Sequence, residues 1–70
     1  MQVLIIDNIH PFLINRLEKH KIICHSALNK NKEEIYSIIN NYEGIIIRSR
    51  FRIDKEFIDA GKKLKFIARA

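Results

Sequence analysis

Cysteine, proline and glycine are all scarce in this chain, and tryptophan is missing. The single cysteine, Cys24, cannot close an internal disulfide, so a reducing cytoplasm is the expected setting. One proline and two glycines leave no flexible linker and no low-complexity segment. Long apolar runs are also missing. The two longest, Val3–Ile6 and Gly44–Ile47, fall far short of the roughly 20 residues that span a bilayer, so no membrane partner is expected. The amino terminus has no basic region followed by a long apolar stretch, as a secretory signal would. Aromatic residues do not interleave with basic ones, which argues against a stacking platform for nucleic acid.

What remains is a globular composition. Apolar residues make up 47% and charged residues 30% of 70, enough for one domain at most. A chain of this length buries only about 60% of its unfolded surface, so its stability is marginal without a partner. The formal net charge is +5, but the lysines scatter over predicted helix faces and turns. A solvated basic surface accounts for that pattern, and an Ile-, Lys- and Asn-rich composition adds lysine without a functional cause.

Taken in order, Val3–Ile6 is a run of β-formers that fits a strand buried on both faces. Asp7-Asn8 stops it. Pro11 suits the first turn of a helix whose core face is Leu13, Ile14 and Leu17, and His20-Lys21 close that helix. Ile22–Cys24 is a short second strand. Asn31 with Glu34 resembles a capping box, followed by Ile35, Ile38, Ile39 and Tyr42 at helical spacing. Ile45–Ile47 is the third strand. Asp54 caps a third helix with Phe57 and Ile58 facing inward and Gly61 as its stop. Leu64–Ala68 is a fourth strand, with Leu64, Phe66 and Ala68 on one face and Lys65, Ile67 and Arg69 on the other.

The order β-α-β-α-β-α-β predicts an α/β fold: an open parallel sheet with right-handed crossovers and helices on both faces. The sequence stops directly after a strand, which would leave an apolar edge or face uncovered, so a partial domain is expected.

Ligands of such sheets bind beyond the carboxyl ends of the strands. Those ends carry Asp7-Asn8, Arg48-Ser49-Arg50 and Arg69-Ala70. Guanidinium forks and a serine hydroxyl suit a carboxylate or phosphate, so the ligand implied is a small anion. Arginines after strands are also common as solvated loop residues, and periodicity by itself favours that bland role. Other constellations are weaker. Cys24 and His25 are strand neighbours and point to opposite faces, and with His20 they match no metal-ligand spacing. His10 suits a capping or solvent-facing role. Asp7 fits the acidic cluster of a phosphoacceptor receiver domain, but the third strand end would then need an aspartate, and Arg48 stands there.

Arg48-Ser49-Arg50-Phe51, Ile53–Ala60 and Leu64–Ala70, with the opening Val3–Pro11, resemble the amino-terminal part of the D-2-hydroxyacid dehydrogenases. The likeness is most specific in the last 27 residues, where an Arg-Ser at one strand end and an Ala-Arg-Ala at the next fall at the family's spacing. It implies a flavodoxin-like, incomplete substrate-binding domain over residues 1–70. Arg48 and Ser49 would bind the anionic groups of substrate, and Arg69 and Ala70 would open the loop that holds its carboxylate. The implied substrate is a phosphorylated 2-hydroxy acid, 3-phosphoglycerate, oxidised with NAD on the way to serine by a homo-oligomeric full-length enzyme. The G-x-G-x-x-G fingerprint and the family's catalytic arginine, glutamate and histidine are not among these residues, so the 70 residues alone are expected to be inactive. The alternative is a small non-catalytic anion-binding or interaction module, or the remnant of a decayed gene.

Overall fold

The computed structural model describes residues 1–70. Four parallel strands, β1 (Gln2–Ile5), β2 (Ile23–Ser26), β3 (Gly44–Ile47) and β4 (Phe66–Arg69), form one open sheet in the order β2-β1-β3-β4. Helices α1 (Pro11–Lys19), α2 (Lys32–Ile38, extended by a 3₁₀ turn) and α3 (Lys55–Ala60) make the crossovers. No helix is long and apolar enough to cross a membrane.

Strand alternation divides the core in two. Leu4, Ile6, Ile45 and Ile47 pack with Ala27, Ile35, Ile39, Tyr42 and Phe57 on the face covered by α2 and α3. Val3, Ile5 and Ile46 pack with Ile9 on the other face, against Leu13, Ile14 and Leu17 of α1. The central strands are therefore apolar on both sides, which is why β1 and β3 read as unbroken runs. The chain moves outward from β1 to β2, then returns across β1 to β3. That reversal puts α1 on one face and the later helices on the other.

Helix starts follow the sequence signals. His10 caps α1, its Nδ1 accepting from Phe12 N–H at 3.1 Å. Asn31 and Glu34 form the complete capping box of α2. The Asp54 carboxylate accepts from Phe57 N–H at 3.0 Å to open α3.

Strand boundaries and two side chains differ from expectation. β1 begins one residue earlier, although Ile6 stays fully buried and its N–H donates to Ile46 O. β2 begins one residue later and runs to Ser26; it is an edge strand, and Ile23 is half exposed. Ile58 is exposed, not inward, because a six-residue helix offers one deep position and Phe57 takes it. β4 begins at Phe66. Leu64 lies in the turn before it and packs with the α2–α3 cluster rather than sharing a face with Phe66 and Ala68. Gly61 makes room: a Cβ there would sit 2.3 Å from Leu64 Cδ1.

Candidate functional site

The strand order reverses between β1 and β3, so the topological switch point lies between the loops that follow them, Asp7–His10 and Arg48–Asp54. Asp7, half buried, holds the second loop to the first. Its Oδ2 accepts the backbone N–H of Arg48 and, at 3.2 Å, that of Arg50. The Ser49 N–H between them has no partner within the chain.

The arginines of this loop have separate roles. Arg50 turns inward: Nη1 donates to Ile6 O at 3.0 Å and to Ala27 O at 2.8 Å, and Nη2 donates to Lys30 O. Its guanidinium also lies 4.7 Å from the Phe51 ring centre, within cation–π range. Arg48 is exposed, with no hydrogen bond or ion pair from its guanidinium, and Ser49 beside it is exposed too. Arg69, at the end of β4, is exposed and donates from Nη1 to Arg48 O at 2.7 Å. The Ala70 N–H is taken by Ile47 O at 2.9 Å, so Ala70 forms a last rung of the β3–β4 ladder.

Arg48, Ser49, Arg69 and Ala70 thus stand together at the carboxyl ends of β3 and β4, as expected. Sequence reasoning missed the scaffold beneath them. In the sequence Asp7 reads as a strand stop, a strand-end residue or one member of an acidic cluster, and Arg50 as one more anion-binding cation beside Arg48. The available signal was Asp7 itself: a carboxylate at a strand end accepts several N–H bonds, and the neighbouring loop supplies them.

The other titratable groups lie elsewhere. Cys24 packs toward the α1 face, while His25 Nδ1 meets Tyr42 Oη at 2.7 Å on the opposite face. Burial, aided by the Glu18 carboxylate, pushes the Cys24 thiol up, away from a reactive thiolate. Burial also pushes the Tyr42 phenol up. The largest depression, lined by Gln2, Glu43, Lys62 and Lys65 among others, lies at the amino-terminal ends of the strands. It is wide open, its lysines are exposed and Lys65 already reaches Glu43 at 3.7 Å, so the strand carboxyl ends remain the better candidate site.

Residues 3–70 match the family model described as D-isomer specific 2-hydroxyacid dehydrogenase, catalytic domain. The chain is 33% identical over 70 residues to a D-3-phosphoglycerate dehydrogenase of Archaeoglobus fulgidus. It is 32% identical over 69 residues to that of Sus scrofa and 30% to that of Homo sapiens. These alignments cover 99–100% of this chain but only 13% of each relative's length. With a parallel β2-β1-β3-β4 sheet and a family match over almost all of its residues, the chain belongs to the D-isomer specific 2-hydroxyacid dehydrogenases, within the family's catalytic domain.

Proposed function

We propose that these residues form part of the substrate-holding wall of an NAD-linked D-2-hydroxyacid dehydrogenase, and that the substrate is a phosphorylated hydroxy acid, 3-phosphoglycerate. The observation that carries the reading is the Arg48 guanidinium: exposed at the switch point and free of any partner within the chain. Arg48 and Ser49 bind the anionic groups of the substrate. Arg69 steadies the Arg48 carbonyl and adds positive charge, and Ala70 fixes where the chain leaves the sheet toward the carboxylate-binding loop.

The work of this wall is binding and orientation. A guanidinium can grip a carboxylate or a phosphate through two parallel hydrogen bonds, and the unpartnered Ser49 N–H and hydroxyl offer further donors. Nicotinamide would supply the hydride acceptor, but these residues do not fit it. Gly44 opens a strand and Gly61 ends a helix, and no glycine-rich turn leads from a strand into a helix to cradle a pyrophosphate. No catalytic step is therefore assigned to this chain, and the 70 residues by themselves are expected to transfer no hydride.

The test is titration of the chain with 3-phosphoglycerate, followed by backbone amide shifts. The expected result is saturable movement at Arg48, Ser49 and Arg69. Arg48→Ala should weaken binding about 10- to 100-fold, the worth of one charge-assisted contact. Unchanged affinity in Arg48→Ala would remove that residue from the site. An unmoved wild-type spectrum at millimolar ligand would overturn the reading.

A further inference from the structure

We propose that Asp7 and Arg50 are positioning residues. Together they hold the β3–α3 loop in the one conformation that presents Arg48 and Ser49 outward, and Arg50 does not itself touch the anion. This rests on the anion-binding reading above.

Two independent sets of contacts carry the inference. The first is the Asp7 carboxylate. By taking the N–H groups of Arg48 and Arg50, it fixes the backbone on both sides of Ser49 and leaves the Ser49 N–H unengaged. The second is the Arg50 side chain. It reaches the carbonyls of Ile6 and Ala27, just beyond β1 and β2, and of Lys30 in the β2–α2 turn. One side chain thus ties the loop after β3 to the ends of both other strands on that side of the sheet.

The donor count separates positioning from binding. Both Nη1 hydrogens of Arg50 are committed, one to each of two carbonyls, and Nη2 has committed one more. The end-on fork is therefore closed at Arg50, which keeps only its Nε–H and one Nη2 hydrogen, whereas all five guanidinium donors of Arg48 are open. A lysine at position 50 would keep the charge but, as a compact point charge without the planar fork, could not bridge the same carbonyls.

The experiment compares wild type, Asp7→Asn, Arg50→Lys and Arg50→Ala by two readouts. One is hydrogen exchange and amide shifts at residues 48–50 without ligand. The other is affinity for inorganic phosphate at several salt concentrations. Positioning predicts faster exchange at the Arg48 and Arg50 amides in every variant, with the shifts of β1 and β3 retained. It also predicts that Arg50→Lys binds phosphate roughly 10- to 100-fold more weakly, nearly as weakly as Arg50→Ala, because misplacing a binding group by about 1 Å has effects of this size. The salt dependence should stay that of wild type.

Retained affinity in Arg50→Lys would overturn the inference in favour of direct charge–charge binding. Unchanged exchange at the Arg48 and Arg50 amides in Asp7→Asn would overturn the loop-holding role, and that variant keeps the question decidable if the Arg50 variants unfold. A wild type that binds no phosphate but has a protected loop would instead fail the anion-binding reading, and with it the presenting role.

Discussion

Lys21 is the one non-glycine residue with positive φ, at 63°. It follows His20, the C-cap of α1. Its N–H returns to Glu18 O, and that of Ile22 returns to Leu17 O, the paired bonds of a Schellman ending. That ending normally takes glycine, because an L-residue is penalised by about 1–2 kcal/mol in the left-handed region. Glycine's greater freedom in the unfolded chain offsets part of the gain. Lys21→Gly should therefore stabilise the chain by about 0.5–1 kcal/mol, read as a melting temperature a few degrees higher. Burial raises Cys24 and Tyr42, so both groups hold their protons more tightly in the folded chain than in the unfolded one. Their stabilising contribution is complete below the unfolded values, near pH 8.5 and 10, and is lost as pH rises through the folded ones. Denaturant midpoints should fall above about pH 9, and the fall should be shallower in Cys24→Ser/Tyr42→Phe. At this scale Asp54 is legible as a cap, and capping is one of the two roles open to His10 until the structure shows its Nδ1 bonded to Phe12 N–H. The sequence did not tell Arg48 from Arg50, because two arginines two residues apart look alike until one finds three carbonyls to bind.

Among the elements, the helices were the most legible, because their starting signals are local. An Asn or Asp side chain bonds an N–H three residues on, whatever the rest of the chain does. Asp54→Ala should destabilise by about 1 kcal/mol in chemical denaturation, and should loosen the β3–α3 connection more than the distant α1. Strand limits were less legible, since they depend on a neighbour's register. β3 and β4 show why. Gly44 pairs with Phe66, and the Phe66 ring lies across the glycine, so that a Cβ at position 44 would stand 2.1 Å from its tip. Gly44→Ala should displace the ring and destabilise, whereas in a Phe66→Ala background the same change should be neutral or stabilising. A double-mutant cycle should return a coupling of about 0.5–1.5 kcal/mol. Additive effects would mean that the ring does not depend on the glycine.

For the whole molecule, the contrast between centre and edge dominates. Every residue of β3 and all but the first of β1 are buried, while every residue of β4 and all but Cys24 of β2 are exposed or nearly so. Amide exchange should therefore be slowest at Leu4, Ile45 and Ile46, at rates set by global unfolding. It should be faster at Ile67 and His25, through local opening. Equal protection across all four strands would contradict this picture. Phe57 is the largest side chain with no exposed surface, and truncation of such a residue commonly costs about 3–5 kcal/mol. That is comparable to the whole stability of a core this small, so Phe57→Ala should abolish cooperative unfolding at 25 °C. By itself the sequence determined the α/β class, the alternation of strands and helices, the capping residues and the gathering of Arg48, Ser49, Arg69 and Ala70 at strand ends. Each follows from periodicity, local hydrogen bonding or motif spacing, which act over a few residues. The tertiary structure alone decided the β2-β1-β3-β4 order, the place of Leu64 and the partnership of Asp7 with a loop 41 residues away. Those depend on which carbonyls and N–H groups meet once the sheet has closed over its two cores, and a linear pattern does not encode that meeting.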